Sequence, residues 1–367
     1  MGRLGISIYP ERSVPERDRE YIRLAGKYGF KRIFSCLLSV GDKKKEALAE
    51  EFKGLSLEAH KAGMEMILDV SPEVFKRLGA SYEELGIFEE LGADGIRLDE
   101  GFDGLKECAM SYNPYGLKIE LNASGDAAYV ANVMEHHPKP GMILTCHNFY
   151  PQRYTGISLE HFRECNRRVK EYGLPVAAFV SSGVKDSFGP WPVNEGLCTL
   201  ESHRGIPMGA QVRHLLAEES VDDIIIANAY ASEEELAVCA AAQPGVLTFG
   251  FAAERELARA EELILNFDQG HVIRGDLSEY LVRSTRTREV YKDWPVPPAN
   301  TRDMRRGDVV IVNDGYARYK GELQVILKDM PNDGRRNVIG RVPEWELVLL
   351  DYIRPWKRFA FAAADEA

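Results

Sequence analysis

Short runs rich in β-branched and aromatic residues alternate with longer amphipathic stretches over roughly the first 240 residues of the chain. The pattern predicts strands at Leu4–Tyr9, Arg32–Leu37, Glu65–Val70, Gly95–Asp99, Leu117–Asn122, Met142–His147, Val176–Ser181 and Asp223–Asn228. Apolar positions at helical spacing predict helices over Pro15–Tyr28, Lys43–Lys61, Tyr82–Leu91, Asp126–His136, Leu159–Tyr172, Met208–Glu219 and Ser232–Ala240. Turn signals fall at the joints, at Gly29, Gly63, Gly92 and Gly173-Leu174-Pro175. Eight strands, each followed by a crossover, is the pattern of a (β/α)8 TIM barrel, and ~250 residues suffice for one. A doubly wound open sheet is the competing architecture, but no Gly-rich phosphate turn follows the first strand.

From Gln243-Pro244-Gly245 the texture changes. Val246–Phe251 reads as a strand and Ala253–Leu265 as a helix. Short strands follow at His271–Arg274, Tyr280–Ser284, Asp308–Asn313, Glu322–Leu327 and Glu346–Leu349. Asn313-Asp314-Gly315 and Asn332-Asp333-Gly334 are turn signals, and Trp294-Pro295-Val296-Pro297-Pro298 is a loop. The expected division is a barrel over residues 1–243 and a small, mainly β barrel over residues 244–367.

In a TIM barrel chemistry sits where strands end, and side chains alternate along each strand. Ile96 and Leu98 form one set on the fourth strand and Arg97 with Asp99 the other. On the fifth, Ile119 and Leu121 oppose Lys118, Glu120 and Asn122. With the apolar sets under helices, the charged sets line the barrel, joined by Ser7, Tyr9, Asp69, Thr145 and His147. One reading is a structural layer of ion pairs, Arg97 with Asp99 or Glu120 and Lys118 with a neighbour. The other is a site, since acids, amides and histidine end several adjacent strands. Two carboxylates from neighbouring strand ends suit glycoside hydrolysis, and Asp99 with Glu120 is the expected catalytic pair. Ser7, Tyr9, Asp69, Arg97, Asn122, His147, Asn148 and Tyr150 are expected to contact substrate. After the seventh strand, His203 and Arg204 offer positive charge for a phosphate, with Glu201 beside them; a surface salt bridge to Glu201 is the alternative.

Charge and cysteine content narrow the field. Lys+Arg number 46 against 57 Asp+Glu, a net charge of −11, which argues against a nucleic-acid partner or an anionic membrane surface. No run approaches the ~20 apolar residues of a membrane span, and the apolar run before Pro10 is too short for a signal peptide. The six cysteines are scattered without a C-x-x-C pair. A reduced, cytoplasmic protein without metal or cofactor is expected. Asp69, Glu120 and His147 as metal ligands would instead give a phosphosugar isomerase or aldolase, and a non-catalytic sugar-phosphate-binding protein is the third class.

Gly5-Ile6-Ser7-Ile8-Tyr9-Pro10-Glu11, Leu98-Asp99-Glu100-Gly101-Phe102 and Glu120-Leu121-Asn122-Ala123-Ser124 resemble motifs of the MupG-type 6-phospho-N-acetylmuramidases. So do His147-Asn148-Phe149-Tyr150-Pro151-Gln152 and Gly196-Leu197-Cys198-Thr199-Leu200-Glu201-Ser202-His203-Arg204, in the same order; Cys198 departs from the Pro frequent there. The resemblance implies a TIM-barrel hydrolase domain followed by a cyclophilin-like β domain. It implies a phosphorylated amino-sugar disaccharide as substrate, cleaved at the β-1,4 bond of N-acetylmuramic acid 6-phosphate–N-acetylglucosamine in bacterial peptidoglycan recycling. The residues leave open a carboxylate nucleophile, an inverting route, or attack by the substrate's own acetamide.

Overall fold

The computed structural model describes residues 2–37, 45–125, 127–193 and 195–364. Residues 43–44 and 126, where two predicted helices begin, lie outside the described residues. The chain divides into two compact units, Met1–Leu215 with Glu219–Ala241, and Leu216–Glu218 with Ala242–Ala367.

In the first unit eight parallel strands close into a barrel in sequence order: β1 (Arg3–Ile8), β2 (Arg32–Cys36), β3 (Glu65–Val70), β4 (Gly95–Leu98), β5 (Lys118–Asn122), β6 (Ile143–Cys146), β7 (Val176–Val180) and β8 (Asp223–Ile226), which pairs back to β1. Helices at the predicted places lie between them, that at Tyr82–Leu91 shortened to Gly86–Glu90, and Glu233–Ala241 follows β8. Two short ones, Pro72–Leu78 and Leu105–Ser111, escape a periodicity search because seven residues hold barely two turns. Local chemistry still defines the first of them. Ser71 Oγ accepts from the Val74 N–H at 3.4 Å, Pro72 opens the helix, and Gly79 closes it at φ 71°.

The barrel interior has two unlike halves. Phe34, Phe179 and Ile225 from β2, β7 and β8, with Tyr9 and Ala227 just past the ends of β1 and β8, form a buried apolar cluster, and Phe149, Phe188 and Tyr230 pack against it. From β3, β4 and β5 the interior instead receives Asp69, Arg97 and Glu120. Apolar packing and ion pairing thus divide one core between them.

On β6 alternation holds but the sides are reversed from expectation, with the apolar set turned inward and Thr145 and His147 outward. Glu120 pairs with Leu144 and Asn122 with Cys146, so Leu144 and Cys146 share the inward side. His147 therefore faces helix Leu159–Glu171, where it lies against Phe162 (ring centroids 4.6 Å apart) and Asn166. Thr145 Oγ1 donates to the Pro175 carbonyl at 2.7 Å.

The second unit is a seven-stranded sheet of β9 (Leu247–Ala253), β10 (His271–Val272), β11 (Leu281–Ser284), β12 (Asp308–Val312), β13 (Leu323–Ile326), β14 (Arg336–Arg341) and β15 (Arg358–Ala363), ordered β10-β15-β9-β14-β12-β13-β11. Only β9 and β15 pair in parallel among these strands. The predicted strand Glu346–Leu349 is instead part of a 3-10 helix, Glu344–Tyr352. Glu346 is buried there and accepts the Gly250 N–H at 2.7 Å, while Leu349 and Leu350 enter the core. Gly250 permits the approach, since a Cβ would lie 2.5 Å from Glu346 Oε1.

Candidate active site

Three inward residues, Asp69, Arg97 and Glu120, stand in register across β3, β4 and β5. Barrel strands tilt by ~36°, so registered residues occupy successively lower levels from β3 to β5. Asp69 lies toward the carboxyl end and Glu120 toward the floor.

The floor is a chain of alternating charge. Lys118 Nζ donates to Glu65 (2.7 Å), and Glu65 also accepts from Arg3 (2.7 Å). Arg3 binds Asp223 through two nitrogens at 3.0 and 2.6 Å. Asp223 then accepts from Arg32 (3.0 Å), and Arg32 Nη2 reaches both oxygens of Glu120 at 2.5 Å. Glu120 is 0% exposed. Buried carboxylate and buried guanidinium neutralise one another, the arrangement that makes such burial tolerable. Lys118 pairs with a neighbour, Glu65, as the ion-pair reading expects, but Glu120 pairs with Arg32 and not with Arg97. Period two on β2 places Arg32 with Phe34 and Cys36, so the signal was present.

Nearer the carboxyl ends, Arg97 Nη1 donates to Asp69 Oδ1 at 2.6 Å and to Asp99 Oδ1 at 3.4 Å, while its Nη2 donates to Asn148 Oδ1. The two carboxyls differ in surroundings. Asp69 is 3% exposed, and burial pushes its carboxyl up to about 6 despite the adjacent Arg97. The Asp99 side chain is 37% exposed. Asn122 Nδ2 donates to the Asp99 carbonyl at 3.4 Å, and Asn122 Oδ1 accepts the Ser124 N–H at 2.9 Å. Asp69, Arg97, Asp99, Asn122 and Asn148 are thereby brought together, and Glu120 is held by Arg32.

His147 supports this group from behind. Its Nε2–H donates to Asn166 Oδ1 (2.8 Å), which leaves Nδ1 to accept from Ser124 Oγ (3.1 Å). Burial brings the imidazole down to about 4, so it is neutral. Ser124 Oγ also accepts the Asn148 N–H at 2.7 Å, carrying the alignment to the residue that touches Arg97. Tyr9 is fully buried and its hydroxyl donates to the Ala227 carbonyl at 2.6 Å; Ser7 is fully buried on β1.

The predicted phosphate donors are occupied. Arg204 Nε and Nη2 bind Glu201 at 2.7 and 2.8 Å, Nη1 donates to the Glu195 and Gly196 carbonyls, and Nη2 to that of Tyr150. Those bonds account for the five N–H groups of a guanidinium. Glu201, held down to about 2 by Arg204, also accepts the backbone N–H groups of Tyr154 and Gly156 at 2.8 Å. The pair fastens the loop after β6 to the loop after β7. His203 is buried against His214 (2.8 Å), and burial lowers its imidazole well below the usual range, so it carries no charge.

Asp69, Glu120 and His147 point to Arg97, Arg32 and Asn166 respectively, and among the described residues no group of three or more His, Cys, Asp or Glu side chains gathers as metal ligands. No described helix is long and apolar enough to cross a membrane.

Known proteins can be set beside this geometry. Over 98% of its length the chain is 46% identical to an uncharacterized B. cereus protein, covering 99% of that chain with a TM-score of 0.89. It is 30% identical to a conserved Enterococcus faecalis protein described as of unknown function, over 98% of this chain and 96% of that one, with a TM-score of 0.74. No curated protein matches. A family model described as 6-phospho-N-acetylmuramidase, N-terminal, matches residues 4–241, and its C-terminal counterpart matches residues 247–362. With both models matched in order across both units, the chain belongs to the MupG family of 6-phospho-N-acetylmuramidases, a family named for glycosidase activity.

Proposed function

We propose that this chain hydrolyses the β-1,4 bond of N-acetylmuramic acid 6-phosphate–N-acetylglucosamine, as a cytoplasmic step of peptidoglycan recycling. The family name supports the substrate class. The reaction type rests on one observation: two carboxylates in unlike surroundings share a single Arg97 nitrogen at 2.6 and 3.4 Å.

In this reading Asp69, whose burial favours the protonated form, gives its proton to the glycosidic oxygen as the bond to the anomeric carbon breaks. Asp99 supports or attacks the cationic ring on the exposed side. Water then adds at the anomeric carbon, displacing the Asp99 carboxylate where it has bonded there, and returns a proton to Asp69. Glu120, first expected as the second acid, balances Arg32 beneath them. Arg97 orients both acids, and Asn148, Asn122 and Tyr150 offer polar groups to the sugar. Asn228, at the end of β8, accepts from Ser181 Oγ (3.0 Å) and the Ser182 N–H (2.9 Å), while its Nδ2 has no partner among the described residues. Ligands of TIM barrels often place phosphate beside the loops after strands seven and eight, so Asn228 replaces Arg204 as the proposed phosphate-side donor. A phosphorylated sugar does not cross a bilayer unaided, which favours the cytoplasm.

The test is incubation of the purified chain with the phosphorylated disaccharide and mass analysis of the products. N-acetylmuramic acid 6-phosphate and N-acetylglucosamine are expected in equal amounts, and an intact disaccharide would overturn the proposal.

A further inference from the structure

The loop between β7 and the 3-10 helix Glu201–His203 carries a tryptophan that stays 40% exposed although its backbone is fastened on both sides. Phe188 exchanges two backbone hydrogen bonds with Ala229, at 2.6 and 2.9 Å. Arg12, just after β1, donates from Nη1 to the carbonyls of Gly189 (2.8 Å) and Trp191, and its guanidinium lies over the Phe188 ring. Farther along, Arg204 holds the Glu195 and Gly196 carbonyls. Such fastening presents the Trp191 ring at low entropic cost to a ligand.

The ring also has a definite place. It contacts Phe149 with centroids 5.9 Å apart, and Phe149 packs edge-on against Phe34 and Phe179 of the barrel interior. Phe149 follows Asn148, whose amide oxygen accepts from Arg97. An apolar surface thus adjoins the polar group that carries the two acids. A pyranose is amphipathic in the matching way, with C–H groups on its faces and hydroxyls around its rim.

We propose that Trp191 is a stacking platform for one pyranose ring of the substrate, with Arg12 and Arg204 as residues that position its loop. This deepens the glycosidase reading and rests on it. Burying roughly 50 Å² of apolar surface against the ring is worth about tenfold in affinity.

Two readouts test the platform on the full chain. Trp191 is the only tryptophan in residues 1–243, the other three being Trp294, Trp345 and Trp356. In an Asp99→Asn background, which keeps the disaccharide intact, adding it should change tryptophan emission saturably, and Trp191→Phe should abolish the change. In the otherwise wild-type chain, Trp191→Ala should raise KM about tenfold with kcat within about twofold, and Trp191→Phe should restore KM to within about threefold. A Trp191→Ala chain that cleaves with unchanged KM, or an emission change that survives Trp191→Phe, overturns the platform and leaves the glycosidase reading standing. A wild-type chain that neither binds nor cleaves the disaccharide overturns both.

Discussion

Glu120→Gln separates a structural acid from a catalytic one. Glu120 is fully buried with both oxygens 2.5 Å from Arg32 Nη2, and among the described residues Arg32 has one other carboxylate, Asp223 at 3.0 Å. Asp223 is already shared with Arg3. The amide keeps the shape and one acceptor but removes the charge, leaving the floor chain with one more cation than anion. Breaking a buried ion pair from one side costs ~3–5 kcal/mol, and the remaining share of Asp223 places this substitution near ~3 kcal/mol. At ~2–4 °C per kcal/mol for a domain of this size, Tm should fall by about 6–12 °C. Thermal melts followed by circular dichroism give the shift, and turnover of the folded protein at 25 °C should stay within about fivefold of wild type. An unchanged Tm together with a ~10²–10⁴-fold loss of kcat would refute the reasoning and return Glu120 to the chemistry.

Other outcomes follow from the same geometry. The proton on Asp69 is held up to about 6, so the donor form is present below that pH and lost above it; kcat/KM should fall on an alkaline limb with its midpoint near 6, and a profile flat from pH 5 to 8 would contradict the assignment. Arg204→Ala should lower kcat/KM by similar factors on phosphorylated and unphosphorylated disaccharides, because its donors hold loop carbonyls and Glu201; a KM rise confined to the phosphorylated substrate would show that Arg204 binds the phosphate. Prolonged dialysis against EDTA should change turnover less than twofold, ~0.4 kcal/mol in barrier, and activity restored by one divalent metal would contradict the carboxylate mechanism.

The barrel was legible because its evidence is local. Strands of four to six residues with buried, β-branched character alternate with helices, and each predicted strand lies within two residues of its observed bounds at either end. The second unit was less so. β14 begins and ends on arginine and carries Gly340, which dilutes a strand signal, and Glu346 reads as part of a strand until its bond to Gly250 is seen. At the site, alternation sorts inside from outside but says nothing about depth. Arg97, Asp99 and Glu120 share one parity, yet strand tilt sends Glu120 down to Arg32 and leaves Asp99 near water. His147 shows the converse limit, since its side of β6 is set by pairing with β5 and not by its own sequence. Whether Arg204 is free for a ligand depends on carbonyls at 150, 195 and 196, which no spacing rule brings together.

That Asp69 and Asp99, held by one guanidinium, cleave the phosphorylated disaccharide is open to direct measurement. Its most direct test is the initial rate of release of N-acetylmuramic acid 6-phosphate by wild type, Asp69→Asn and Asp99→Asn, each shown to melt as a folded protein. Measurable turnover is expected for wild type and a ~10²–10⁴-fold lower rate for each variant. Near-wild-type rates in either variant would contradict it.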